Sequence, residues 1–183
     1  MSTTEFAPMI TELTTERLVL RRMQGEDSQA IRALWMERDP RVPRRIDHQG
    51  NPTVEQIHQR MMAQLAESEK SGLFLLAIEK TSGSGLLGYC GLTVGAGSYA
   101  EPEIAFELFK SYQGCGFATE AGAAVIDAAR ATARTRLWAT VREWNAPSFR
   151  VLARLGFSDS GRRTKDAEHG DTLWLVHDLS RKQ

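Results

Sequence analysis

Between Glu103 and about Ala133 a strand, a glycine turn and a helix follow one another without interruption. Glu103 to Phe109 reads as a strand, and an alanine-rich helix runs on to about Ala133. They are joined by Gln113-Gly114-Cys115-Gly116-Phe117-Ala118, where glycine or alanine at three of six positions lets the backbone turn sharply. Successive N–H groups then point outward at a helix start, where free donors and the helix dipole attract phosphate. Two familiar phosphate loops do not fit. A Walker loop ends in Gly-Lys-Ser or Gly-Lys-Thr, and here Phe117 follows Gly116. A dinucleotide fingerprint needs a third Gly or Ala where this chain has Thr119.

The rest of the chain supplies an α/β frame for this unit. Arg17 to Arg21, with Leu18 and Leu20 in alternation, reads as a first strand. Asp27 is the expected N-cap of a helix striped by Ala30, Ile31, Leu34 and Trp35. Asp39 to Asn51 is a loop. Thr53 and Gln56 form a capping box ahead of a second helix, with Val54, Ile57, Met61 and Leu65 on one face. Leu73–Glu79 and Leu86–Val94 are strands joined through Ser82-Gly83-Ser84-Gly85, and Leu137–Val141 is the fifth strand. Asn145 caps a short helix that stops at Gly156, and one or two strands follow, the last from Thr172 to Leu179. This order predicts a mixed sheet rather than a uniformly alternating one.

Three motifs carry a resemblance. Gln113-x-x-Gly116-x-Ala118, within Tyr112-Gln113-Gly114-Cys115-Gly116-Phe117-Ala118-Thr119-Glu120-Ala121, resembles the acyl-CoA loop of the GNAT acyltransferase family. The branch it looks like contains the ribosomal-protein N-terminal (alanine/serine) acetyltransferases. Thr15-Glu16-Arg17-Leu18-Val19-Leu20-Arg21 is similar to that branch's opening strand. Asn145-x-x-Ser148-x-x-Val151-Leu152-x-x-Leu155-Gly156-Phe157 is similar to its late helix.

The resemblance implies a single acyltransferase domain over 1–183, with a core of about 14–179. It implies a mixed, mostly antiparallel sheet of six to seven strands, flanked by about four helices and splayed at strands four and five. The activity implied is transfer of an acetyl group from acetyl-CoA to an amine, a protein N-terminal α-amine in this branch. Backbone groups of Phe106, Glu107 and Leu108 would bond the pantetheine arm. The N–H groups of Gln113, Gly114, Cys115, Gly116, Phe117, Ala118 and Thr119 would hold the pyrophosphate. Asn145 would reach the arm from across the cleft, and Ser148 would lie near the thioester sulfur. Two departures stand out. Gly114 and Cys115 occupy positions where many family loops carry Lys or Arg, which shifts phosphate binding onto backbone dipoles. Leu152 stands where other branches carry a tyrosine acid, which shifts that role to Ser148 or to no protein group.

Several residues have plainer readings beside these. Glu103 and Glu107 share one face of their strand. Glu103 stands where related enzymes keep a water-linked general base, or is simply a solvated carboxylate. Cys115 has no sequence-adjacent histidine to activate it, which argues against a covalent intermediate. The four histidines lack metal-ligand spacing, so no metal is expected. Arg38, Arg41, Arg44 and Arg45 either select the acceptor or coat a solvated loop. Basic and acidic residues balance at 23 each, so no net field draws the chain to nucleic acid or an anionic membrane. Met1 to Pro8 lacks the pattern of a leader, and no apolar run suits a bilayer, so the expected location is cytoplasmic. The acceptor is left open between a protein N-terminus and a small amine such as an antibiotic, polyamine or amino acid. A catalytically idle acyl-CoA sensor is the reading from another class, and a homodimer is left open too.

Overall fold

In a computed structural model describing residues 6–83 and 85–180, the chain opens with a two-residue strand, β1 (Leu13–Thr14). It pairs antiparallel to β2 (Leu18–Arg22), where strict alternation buries Leu18 and Leu20 completely. The first helix, α1 (Ser28–Met36), buries Ile31 and Leu34. Asp27 is its N-cap residue, as expected, but its side chain makes no capping bond. Its carboxylate is taken by Arg21, at 2.8 and 2.9 Å, and by the N–H of Gln24 at 2.8 Å. Thr53 and Gln56 form the expected capping box of α2 (Val54–Ser71). Ile57 and Met61 are buried on its inner face, whereas Val54, expected beside them, is exposed.

The remaining elements are β3 (Leu75–Lys80), β4 (Leu86–Thr93), β5 (Glu103–Leu108), α3 (Phe117–Arg130), β6 (Arg136–Arg142), α4 (Ala146–Arg154), β7 (Ser158–Thr164) and β8 (Thr172–Asp178). One sheet holds all eight strands in the order β1-β2-β3-β4-β5-β6-β8-β7. Every pairing is antiparallel except β5 with β6. This is the mixed sheet expected, with one strand more than six to seven; β1 is too short for alternation to reveal it. Ser84, in the expected β3–β4 turn, lies outside the described residues, as do Met1 to Glu5 of the segment read for a leader. Among the described residues no helix is long and apolar enough to cross a membrane.

Helices cover both faces of the sheet. On one face Ala121, Val125, Ile126 and Ala129 of α3 meet Leu20, Leu76, Ile78, Leu92 and Ile104. Each such leucine or isoleucine contributes about 1.5–3 kcal/mol on burial. Leu152 of α4 and Leu155, at its C-cap, join this cluster, and Gly122 lets α4 close in. A Cβ there would stand 2.5 Å from Leu155 Cδ1. On the other face Ile31, Leu34, Ile57 and Met61 form a second cluster, against which Tyr89 and Phe109 pack.

Candidate active site

The strands β5 and β6 share only one pairing, Glu103 with Trp138. There the Trp138 N–H reaches the Pro102 carbonyl at 2.9 Å. A continuing parallel ladder would give the Thr140 N–H to the carbonyl of Ile104. It goes instead to Glu103 Oε1 at 3.0 Å, and the Thr140 hydroxyl bonds the same oxygen. Glu103 Oε2 takes the N–H of Ala96 at 2.8 Å. Glu103 is therefore a wedge where the two strands part. It does not line the cleft that opens beyond. The physical reason is the unpaired Thr140 N–H, which needs an acceptor and finds this carboxylate.

The cleft has a volume of about 870 Å³ and is lined on the β5 side by Phe106, Glu107 and Leu108. The N–H of Phe109 bonds Leu87 in β4, so by alternation the N–H groups of Phe106 and Leu108 face the gap. The β4–β5 register is regular throughout. The splay of β6 away from β5, not a bulge against β4, exposes these groups. The backbone of Glu107 faces β4, so this residue enters the cleft with its side chain instead.

At the start of α3 the glycine loop behaves largely as expected. Gly114 (φ 77°) and Gly116 (φ 83°) are both left-handed, and Gly116 is an N-cap with no side-chain cap over it. The first N–H used inside the helix is that of Glu120, to Gly116, which leaves those of Phe117, Ala118 and Thr119 for a ligand. Gly114, Gly116, Phe117, Ala118 and Thr119 line the cleft. Gln113 lines it too, but its groups are engaged: its N–H bonds Lys110, and its side chain holds the Leu108 carbonyl at 3.0 Å. Cys115 lies outside the cleft lining, its side chain exposed. The turn before Gly114 thus uses the Gln113 N–H to close.

Across the gap, Asn145 caps α4 through Oδ1, which accepts from the Ser148 N–H at 3.3 Å. Asn145 and Ser148 both line the cleft, with Val151 one turn on. Leu152 is fully buried in the core, so a side chain at that position does not face the cleft in this chain.

The far end of the cleft was least legible in the sequence. Arg38, just past α1, forks onto Glu107 with Nε–Oε1 at 2.7 Å and Nη2–Oε2 at 2.5 Å. Its guanidinium stacks 4.1 Å from the Trp35 ring and donates to the Arg44 carbonyl. The half-buried Tyr89 donates its hydroxyl to Glu107 Oε2 at 2.8 Å. Burial, with the neighbouring carboxylate, pushes the Tyr89 pKa up, so it remains a donor. Burial opposes the charge on Arg38, and the bonds to Glu107 more than offset it, raising its pKa overall. Arg41 stacks 4.1 Å from the ring of Trp144, whose indole N–H bonds the His169 carbonyl. The Arg38–Glu107 and Arg41–Trp144 contacts join residues far apart in sequence, and no local pattern signals them. Among the described residues no group of His, Cys, Asp or Glu is placed to hold a metal.

A split parallel pair beside an uncapped glycine-led helix is the geometry that the loop motif implied. Residues 17–158 match the family described as the acetyltransferase (GNAT) domain. The chain belongs to the GNAT family. This GNAT acetyltransferase is 29% identical over 152 residues, 81% of its length and 83% of the relative's, to the uncharacterized N-acetyltransferase p20 of Bacillus licheniformis. The solved structure of Mycobacterium smegmatis RimJ in complex with CoA-disulfide has the same fold. Its TM-score is 0.72 at 23% identity, covering 96% of this chain and 87% of that one. The ribosomal-protein-S5-alanine acetyltransferase of Vibrio fischeri superposes with a TM-score of 0.72 at 22% identity, covering 93% and 97%. The enzyme is thus an acetyl-CoA-dependent N-acetyltransferase.

This GNAT cleft suits acetyl-CoA by its own chemistry. Free N–H donors at a helix start match a pyrophosphate, and unpaired strand groups match the amides of a pantetheine arm. Glu103→Gln tests the wedge. Its amide NH₂ would face the donor groups of Ala96 or Thr140, at a cost of about 1–3 kcal/mol in stability. The accompanying loss of kcat/KM is expected to be the same at pH 6.5 and pH 8.5. A loss that fades as pH rises would return Glu103 to the role of base.

Proposed function

We propose that this enzyme acetylates the N-terminal α-amine of a protein, by direct attack of the amine on the thioester in a ternary complex. The reading is carried by the acceptor end of the cleft, where the one β5 carboxylate is already engaged. Arg38 and Tyr89 occupy three of the roughly four lone-pair sites of Glu107. One remains, enough to accept a hydrogen bond from an incoming amine and orient it. An α-amine of pKa about 7.7–8.0 is already roughly a tenth to a sixth neutral at pH 7. A lysine amine of pKa about 10.4 would first have to lose a proton, at about 4.6 kcal/mol. The other carboxylates that line the cleft, Glu37 and Asp39, hold the Lys110 N–H and the Arg41 guanidinium, and a cleft whose carboxylates all have partners suits the first acceptor. The name carried by the ribosomal-protein-S5-alanine acetyltransferase supports the same choice.

In this mechanism the phosphates lie on the N–H groups of Gly114, Gly116, Phe117, Ala118 and Thr119, and the pantetheine arm bonds the edge of Phe106 to Leu108. The amine lone pair attacks the carbonyl carbon, and the oxygen takes up negative charge against the Leu108 N–H. As the carbon–sulfur bond breaks, the electron pair leaves with sulfur and Ser148 supplies it a proton. The amine proton passes to solvent, from which the Ser148 hydroxyl regains its own. Asn145, fixed by its cap on α4, orients the arm.

Ser148→Ala is expected to lower kcat by about 10-fold to 100-fold, the low end for a proton donor, with the acetyl-CoA KM unchanged. A thiol of pKa about 8.5 is a good leaving group even unassisted. Wild-type kcat in the variant would leave Ser148 only its place in the first turn of α4. The acceptor is tested by measuring thiol release from acetyl-CoA with peptides of free N-terminus beside polyamines, aminoglycosides and amino acids. Turnover is expected with peptides. Turnover with small amines alone would move the acceptor to that class, and none with any amine would leave a binding protein.

A further inference from the structure

The opening-strand motif Thr15 to Arg21 has no part in the reaction as described, yet one of its side chains reaches the glycine loop. Arg17 Nη1 donates to the Cys115 carbonyl at 3.0 Å. On its other edge Nε and Nη2 grip Glu120 Oε2, at 2.7 and 2.6 Å. Glu120 Oε1 in turn accepts the N–H of Arg17 at 3.0 Å and the Thr15 hydroxyl at 2.5 Å. The Arg17 guanidinium also lies 4.6 Å from the centre of the Phe117 ring. Thr15, Arg17, Phe117 and Glu120 thus form one bracket spanning 105 residues of sequence, from the start of β2 to the first turn of α3.

The bracket holds the carbonyl of the peptide that carries the Gly116 N–H. In a trans peptide the carbonyl and the next N–H face opposite ways. Gripping the Cys115 carbonyl from outside therefore turns the Gly116 N–H the other way, and Gly116 lines the cleft whereas Cys115 does not. Gly116, at φ 83°, leaves this peptide free to rotate on one side, so its orientation needs an external hold. Arg17 does not line the cleft and its charge is matched by Glu120, so it stands behind the loop rather than on the ligand.

We propose that Arg17, fixed by Glu120, is a positioning residue that locks the Cys115–Gly116 peptide with its N–H turned toward the pyrophosphate of acetyl-CoA. The lock explains how a loop without Lys or Arg at Gly114 or Cys115 holds phosphate: the arginine works through the backbone. It rests on the reading of the glycine loop as the phosphate site.

The test compares acetyl-CoA with acetyl-pantetheine, which carries the same thioester and arm but no phosphate. Both are measured on one preparation, so any loss of folded protein cancels from the ratio of the two kcat/KM values. In the wild type the ratio is expected to favour acetyl-CoA strongly. Arg17→Met should lower the ratio by roughly tenfold or more, through the acetyl-CoA KM. Arg17→Lys should resemble Arg17→Met, because one ammonium lacks the fork that spans Glu120 and the Cys115 carbonyl. Glu120→Gln, a milder change should Arg17→Met not fold, should shift the ratio the same way by a smaller factor. A wild-type ratio near one would overturn the phosphate reading and the lock with it. A high wild-type ratio unaltered by Arg17→Met and Glu120→Gln would overturn the lock alone. Full recovery in Arg17→Lys would overturn it too, by showing that a charge near the loop is all that is needed.

Discussion

Gly116→Val is expected to weaken CoA binding by roughly tenfold or more, a loss of about 1.4 kcal/mol, while the protein stays folded. Gly116 sits at φ 83°, where a side chain costs about 1–2 kcal/mol and a β-branched one is an outlier. The added Cβ would also stand 3.3 Å from Arg17 Nη2, a group held by the Glu120 fork. The chain escapes the strain by rotating the peptide, which turns the Gly116 N–H out of the cleft. Left-handed tolerance should order the substitutions: Gly116→Asn mildest, Gly116→Ala between, Gly116→Val most damaging. Calorimetric titration with CoA, beside thermal unfolding, reads both effects. Wild-type affinity in a folded Gly116→Val would remove this loop from the phosphate site.

The glycine loop is legible in the sequence, since glycines at 114 and 116 ahead of an alanine-rich helix specify the turn locally. The strand alternation and the capping box of α2 were legible for the same reason: their signals lie within a few residues. What stayed hidden depends on partners distant in sequence. Glu103 and Glu107 have the same parity, and nothing in their surroundings distinguishes a wedge from a cleft carboxylate. Thr140 decides the first, and Arg38, 69 residues away, decides the second. The Gln113 side chain was equally ambiguous until its bond to the Leu108 carbonyl was seen.

The second large effect lies at Glu107. Glu107→Ala would leave Arg38, whose side chain is only 12% exposed, without its carboxylate. Uncompensated charge of this kind costs about 3–5 kcal/mol of stability. Glu107→Gln keeps the shape and one acceptor oxygen but removes the negative charge at the acceptor end. It is expected to lower kcat/KM for the acceptor by about a hundredfold, within the 2–5 kcal/mol range for a truncated charge pair, with the acetyl-CoA KM little changed. The double change Arg38→Leu with Glu107→Leu separates packing from chemistry. Its apolar pair should recover most of the stability lost in Glu107→Ala and none of the activity. Denaturant unfolding and acceptor kinetics on the same three variants read the two quantities. Recovery of activity along with stability would reduce Glu107 to a structural partner of Arg38.

The central claim, acetyl transfer to a protein α-amine, is met most directly by a matched pair of peptides. One has a free N-terminus and a blocked lysine; the other has a blocked N-terminus and a free lysine. Each is incubated with enzyme and acetyl-CoA at pH 7, and the products are weighed and sequenced by mass spectrometry. The account predicts one added acetyl group on the first peptide, at its α-amine, and none on the second. Acetylation of the second at a comparable rate would contradict it, because the lysine would then have lost its proton to a base that this cleft is held to lack.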